Sequence, residues 1–462
     1  MPGLAGTHPG MLSFQYIYVE GGILMHGRSN IKAGRDGSLK LGKVSLTKLA
    51  AKFGTPLYIM DEDYMRGQCR EYLRAFRSRI AGTEVLYASK AFLTRAMAAL
   101  VRQEGLSIDV VSGNELECAL SVGFDPKNVH FHGNNKTPSE IRKGLDVGIG
   151  RFIVDNFDEL QLIDDTAAAL GKKADILLRL APGVEAHTHK YIQTGQTDSK
   201  FGLGIADGRA DKAVDMALGL RNIKLHGFHC HIGSQIFDID AYKLAAESMI
   251  GFAAEVKKRT GFVYKELNLG GGLGVRYVEK DKPKSIDQLA ELICSTVEAE
   301  SKKHGLKVPK LMVEPGRSIV GEAGVTLYTI GAIKEIPGIR TYASVDGGMT
   351  DNPRVALYQA EYDAIVANKA KDKPERLYTI AGNACESGDM LIWDIKLPEL
   401  KAGDLLAVLT TGAYNYSMSS HYNMHAKPPV VFVRGGRAQL VVRGETAKDI
   451  MKPQLLPKRL QD

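Results

Sequence analysis

The sequence lacks most of what would place a chain outside the ordinary soluble classes. Nothing in its 462 residues approaches the ~20 consecutive apolar positions that cross a bilayer. The N-terminal MPGLAGTHPGMLSF has no basic stretch leading into an apolar run and a small-residue cleavage site. A cytoplasmic location is therefore expected. Cysteine is scarce: five residues (Cys69, Cys118, Cys230, Cys294 and Cys385) lie far apart with no CxxC pair, which argues against a disulfide framework and a structural zinc site. The formal charge of +7 is diffuse, and the densest basic runs, KKHGLKVPK and KDKPER, are short and free of aromatics. They read as solvated faces, so no nucleic-acid or membrane partner is expected. No repeat or low-complexity tract is visible. What remains, 44% hydrophobic and 24% charged, is enough globular material for two domains with substantial cores.

From residue 84 short apolar or β-branched runs alternate with amphipathic stretches. The runs are EVLYAS (84–89), SIDVVS (107–112), NVHFHG (128–133), RFIVDN (151–156), DILLRLAP (175–182), KLHGFHCHIG (224–233), KELNLGGG (265–272) and KLMVEPG (310–316). Segments with helical spacing, such as LTRAMAALVRQEG and AYKLAAESMIGFAAEVKKRTG, separate most of them. Eight strand–helix repeats predict an α/β fold of the closed (β/α)₈ barrel type over about 48–318, with an open doubly wound sheet as the alternative. After residue 320 the texture changes to strands punctuated by Gly and Asp, from VTLYTIGAI to RAQLVVRG. This predicts a second, β-sandwich or barrel-like domain over 319–462. The N-terminal stretch LSFQYIYVEGGILMHG has the same texture, and residues 1–47 are expected to pair with that domain.

The residues able to do chemistry fall at strand ends. Lys90, Ser112, His132, Asn156, His231, the glycines 270–272 and Glu314 all lie where a strand gives way to the next turn. In a barrel those ends form one mouth. A lone strand-end lysine is ordinarily solvated, but Lys90 has company. The glycine cluster could cradle a phosphate with its amides. A dinucleotide fingerprint would need glycine at position 275, where Val275 stands. His226, His229 and His231 suggest a metal, yet strand alternation puts His229 and His231 on one face and Cys230 on the other, so the cluster would not converge on one ion without a distorted backbone. In VEPGRS, Glu314 and Arg317 form either an ordinary ion pair or a ligand site. The second domain adds DNPRVALY with Arg354 and Tyr358, NACESGD with Cys385 and Glu386, and TGAYNYSM with Tyr414, which is more chemistry than connectors usually carry.

In their order, YASKA, HGNNKT, TGQTDSKFGLG, HCHIGSQ, GGGLG, EPGR, CESGD and GAYNYSM resemble the diaminopimelate decarboxylases, pyridoxal-phosphate enzymes of the alanine-racemase-like barrel class. The resemblance implies that Lys90 carries pyridoxal 5′-phosphate covalently and that His231 stacks on its ring. It gives Ser234, Gly270, Gly271 and Gly272 to the phosphate and Glu314 to the ring nitrogen, with Pro315, Gly316 and Arg317 completing the EPGR run at the cofactor. Arg317, Arg354, Tyr358, Glu386 and Tyr414 match substrate-gripping positions, Tyr414 lying also near the phosphate, and Cys385 matches a proton donor. Cys385 and Glu386 are expected to come from a second subunit, which implies a homodimer with shared active sites. Three departures stand out: Asn114 where glycine is common, RVALY in place of RPALY, and the absence of arginines in HYNMHAKP.

On this resemblance the chain decarboxylates meso-diaminopimelate to L-lysine. A carboxylate at the ring nitrogen suits carbanion formation, whereas racemases of this fold place an arginine there. Arg317 and Arg354 would meet a distal carboxylate and Glu386 a distal ammonium. The alternatives are decarboxylation of ornithine or a related diamino acid, and a non-catalytic cofactor carrier. Burial beside other charges is expected to lower the lysine's pKa. Lys200, in the polar connector DSKFG, is the rival amine.

Overall fold

The computed structural model describes residues 30–184 and 200–461, together with the backbone of 17–19 and 22–24. All eight apolar runs form strands: Glu84–Ala88, Ser107–Val110, Val129–Phe131, Arg151–Val154, Ala174–Ala181, Ile223–His229, Glu266–Asn268 and Lys310–Val313. Every neighbouring pair is parallel, and Arg151–Val154 pairs on both edges, with Val129–Phe131 and with Ala174–Ala181. The sheet is therefore a closed barrel and not an open one. Strands buried on both faces explain the near-continuous apolar runs. Leu86, Ile153, Leu177 and Met312 form a small cluster of their own, while Val85 and Tyr87, one step along the pleat, join the larger core shared with the helices.

Helices follow the strands, among them Arg95–Gln103, Pro138–Val147, Phe157–Ala169 and Asp240–Thr260. The last barrel strand leads only into the short Arg317–Val320, and helix Glu62–Arg77, which precedes the first strand, packs against Ile286–Lys303 at that place in the outer ring. Polar side-chain pairs close the N-terminal end of the barrel. Arg151 donates from Nε and Nη2 to Glu266 (2.8 and 2.6 Å), and His226 Nε2 lies 2.6 Å from Asp175 Oδ1. The opposite end is left for a site.

The second domain is a mixed sheet built on the long strand Gly324–Ile336, which pairs with Arg340–Val345, Leu405–Leu409 and Leu57–Asp61. Three strands go beyond the sequence expectation: Ala364–Val366, Met390–Leu397 and Leu57–Asp61. The last lies within the stretch assigned by sequence to the barrel, but its partners are Gly324–Ile336 and, in parallel, Val430–Arg434. Near the N-terminus, five short strands from Ile17–Val19 to Val44–Ser45 form an antiparallel sheet. Ile31, Leu39 and Leu41 share a buried cluster with Ile59, Val325, Leu409 and Val431, and the Leu39 amide donates to Ala367 O (2.7 Å). Hydrophobic burial thus ties this segment to the second domain.

Candidate active site

At the C-terminal end of the barrel lies a cavity of about 460 Å³, within the range of small-molecule sites. Both domains line it. Lys90, His132, His231, Ser234 and Glu314 come from the barrel side, and Arg354, Tyr358 and Tyr414 from the other. Lys90 sits in the turn Ser89–Ala91 that ends the first strand. The second domain is pinned to this turn, since the Tyr414 amide and the Ser417 hydroxyl both donate to Ala91 O (2.8 and 3.2 Å). Tyr414 holds a left-handed backbone (φ 64°), costly for a non-glycine residue and common at functional sites.

Lys90 departs from expectation in one respect: its side chain is exposed in the open cavity and not buried. Its charged neighbour is Asp109, a buried inward-facing residue of the second strand that accepts from the Ser89 amide (3.0 Å). Burial, reinforced by the charge of Glu314, pushes the Asp109 carboxyl well above the usual range, with Lys90 pulling against it.

Glu314 is buried at the far side and does not pair with Arg317. Oε1 accepts from Asn268 Nδ2 (2.7 Å) and lies 2.9 Å from His132 Nε2, while Oε2 is 3.1 Å from His229 Nε2. Burial raises its carboxyl, but the two imidazoles outweigh burial and hold it well below the usual carboxylate range. Burial lowers His229, and lowers His132 to about 3; His229 Nε2 is hydrogen-bonded to Oε2, whereas His132 Nε2, although close to Oε1, makes no hydrogen bond. Burial, then the cations Lys90 and Arg179, pushes His231 well down as well. The expected shared face of His229 and His231 is found, both lining the mouth, while His226 is at the barrel's other end. A different trio, His132, His229 and Glu314, converges with ligand atoms within 4.8 Å of one another.

The glycine run is dictated by packing. A Cβ on Gly271 would run into the Glu314 carbonyl, and one on Gly270, whose φ is 69°, would stand 2.6 Å from Cys230 O. Only bare backbone lets three strand ends close together here, which brings residues 270–272 alongside His231. Gly316 is likewise needed, since its Cβ would stand 2.8 Å from Ala88 Cβ. Pro315 O accepts from the Ala88 amide (3.0 Å), which ties the EPGR run to the Lys90 turn.

Arg317 and Arg354 are both buried, and neither has a carboxylate partner among the described residues. Arg317 donates to Tyr277 Oη and to Ser234 Oγ (2.9 Å), and Arg354 donates to Tyr362 Oη (2.7 Å). The nearest acids of the cavity are engaged elsewhere: Asp281 accepts from the Tyr277 and Val278 amides, and Glu361 pairs with Lys280. Two permanent cations beside open space call for an anion from outside.

Several expected residues lie elsewhere. Ser112 and Asn156 cap the helices that follow their strands, accepting from the Glu115 and Glu159 amides (3.2 and 2.9 Å). Cys385 and Glu386 are exposed on a loop outside the cavity. Lys200 is exposed and does not line the cavity, whereas its neighbour Phe201 does. Residues 194–199 of the TGQTDSKFGLG motif lie outside the described residues. Sequence reasoning passed over Asp109, Arg179 and Tyr277. The first two carried a legible signal, a charge inside an apolar strand.

The residues present fit pyridoxal phosphate: an amine at the rim, a buried carboxylate held anionic, and the Ser234 hydroxyl on the wall, whereas the predicted Gly270, Gly271, Gly272, Pro315 and Gly316 pack behind the lining and not on it. The chain matches the family model for the pyridoxal-dependent decarboxylase pyridoxal binding domain over residues 66–321. It is similar to a diaminopimelate decarboxylase of Bacillus subtilis, 49% identical, with 94% of this chain and 98% of that protein covered. It is also similar to one of Staphylococcus aureus, 46% identical, with 91% and 98% covered. Among solved structures, diaminopimelate decarboxylase from M. jannaschii in complex with L-lysine superposes with a TM-score of 0.88 at 36% identity, covering 94% of this chain and 100% of that one.

Proposed function

The chain belongs to the diaminopimelate decarboxylases, within the pyridoxal-dependent decarboxylases, and from that membership we propose how its cavity takes carbon dioxide from meso-2,6-diaminopimelate to leave L-lysine. The enzyme uses pyridoxal phosphate, which when bound supplies the electron sink that loss of an α-carboxylate requires.

The chain's own groups have distinct tasks. Lys90, exposed at the cavity rim, would hold the cofactor covalently. Glu314, kept anionic by Asn268 and His229, would hold a proton on the ring nitrogen. His231, which lines the cavity, would face the cofactor ring. Ser234 and the backbone of Gly270, Gly271 and Gly272 would hold the phosphate, with Pro315, Gly316 and Tyr414 on that side. Arg317 and Arg354 bind the substrate's distal carboxylate, assisted by Tyr358.

The observation that carries this reading is the pair of buried guanidiniums, without an acid partner among the described residues, in the same cavity as Lys90. Ornithine has no second carboxylate and would leave that pair uncompensated. Cys385 and Glu386 complete the site across a homodimer, the thiol returning a proton to the α-carbon and the carboxylate meeting the distal ammonium. Their exposure supports this, as does the apolar surface around them, where Tyr422 and Met424 are exposed and the Cys385 amide donates to Asn423 Oδ1 (2.8 Å). No helix among the described residues is long and apolar enough to cross a membrane, and the enzyme works in the cytoplasm. Incubating the purified protein with pyridoxal phosphate and either diaminopimelate or ornithine, then identifying the amine, tests the proposal. L-lysine from the first and no putrescine from the second is expected; the reverse refutes it.

A further inference from the structure

Tyr277 follows the glycine turn and is buried, at 5% exposure, between the two arginines. The Arg354 guanidinium lies over its ring at 4.8 Å and that of Arg317 at 5.6 Å. Its hydroxyl accepts from Arg317 Nη1, and its ring meets Tyr362 edge-on at 5.3 Å and 86°. Tyr362 in turn accepts from Arg354 Nη1 (2.7 Å). The phenols thus do what carboxylates do for most buried arginines: they accept the N–H groups and offer a negative ring face, but bring no charge. An acid in this place would neutralise the pair and compete with a ligand.

We propose that Tyr277 is a positioning residue that sets Arg317 and Arg354 around one ring as a clamp for a single carboxylate, and so selects substrates with a distal carboxylate over plain diamines. This rests on the reading that diaminopimelate's distal carboxylate binds there. A bidentate anion needs both guanidiniums fixed in direction. The ring stack fixes Arg354, and the phenolic oxygen fixes Arg317.

The test compares inhibition of the holoenzyme by L-lysine with inhibition by 1,5-diaminopentane, the same molecule without its carboxylate. The proteins are wild type, Tyr277→Phe and Tyr277→Ala, each also measured for cofactor absorbance and cofactor dissociation. Tyr277→Phe should raise the lysine inhibition constant about tenfold, roughly 1.4 kcal/mol, and Tyr277→Ala further. The diaminopentane constant should move less than twofold, and the cofactor readouts should not move. Equal weakening of both inhibitors, parallel loss of cofactor, or an unchanged lysine constant in both variants overturns the role of Tyr277. A wild-type enzyme that binds diaminopentane as tightly as lysine overturns the underlying site reading, whatever the variants do.

Discussion

Asp351 offers a test of the second domain that does not depend on the chemistry. It is buried, at 2% exposure, in the segment leading to Arg354, and accepts at Oδ1 from the Tyr328 hydroxyl (2.9 Å) and the Gly348 amide (3.1 Å). Burial, opposed by these donors and reinforced by the charges of Asp389 and Asp346, raises its pKa from 3.8 to about 7. A carboxyl whose folded pKa is raised binds its proton more tightly in the native state. Its contribution to stability is therefore full below 3.8 and is lost as pH climbs to 7. At about 1.4 kcal/mol per unit, the part of this window above pH 5 is worth roughly 3 kcal/mol. For a unit of about 150–250 residues that corresponds to a fall in Tm of roughly 6–12 °C. Asp351→Asn keeps an acceptor for Tyr328 and removes the titration. The measurement is the difference in Tm between wild type and Asp351→Asn, followed from pH 5 to pH 8. Wild type should lose ground steadily up to about pH 7 and then level off. Parallel melting curves across the range would show that Asp351 is not protonated in the native state, and the argument from burial would fail.

Three other outcomes are expected. Arg354→Leu should lower kcat/KM for diaminopimelate by roughly 30- to 150-fold, about 2–3 kcal/mol for one partner of a desolvated charge pair, with the bound-cofactor spectrum unchanged; equal loss of both would count against a substrate role. Cys385→Ala should cut turnover by about 10²–10⁴, the usual range for a lost proton donor, and leave cofactor affinity intact, whereas an unchanged kcat reassigns the donor. Gly271→Ala should lower Tm and cofactor affinity together, because the new methyl meets the rigid Glu314 carbonyl and overpacking costs about 1–3 kcal/mol; a variant with both values intact would refute the close-approach argument.

The barrel was legible because parallel strands covered on both faces show as apolar runs that need no partner to identify them. Its mouth was legible because Lys90, His231 and Glu314 each end such a run. Other features depend on contacts that sequence order hides. Leu57–Asp61 finds its partners some 270 and 370 residues downstream. Asp109 and Arg179 share a cavity only because the sheet closes on itself. Ser112 and Asn156 show the limit of the strand-end rule, since the same position that faces the mouth is also where the next helix needs its cap. Tyr277 had no signal of its own: an aromatic three residues past Gly274 is ordinary core material until two arginines are found against its ring. The exposure of Lys90 reflects an open cavity, which strand patterning cannot reveal.

The central claim is that one amine, Lys90, carries the cofactor. Borohydride reduction of the holoenzyme followed by tryptic mapping tests it directly, because modification blocks cleavage at that residue and leaves one labelled peptide running from Ile80 to Arg95. The account predicts the label on that peptide alone. A label on Lys200 or another lysine, or no label at all, contradicts it.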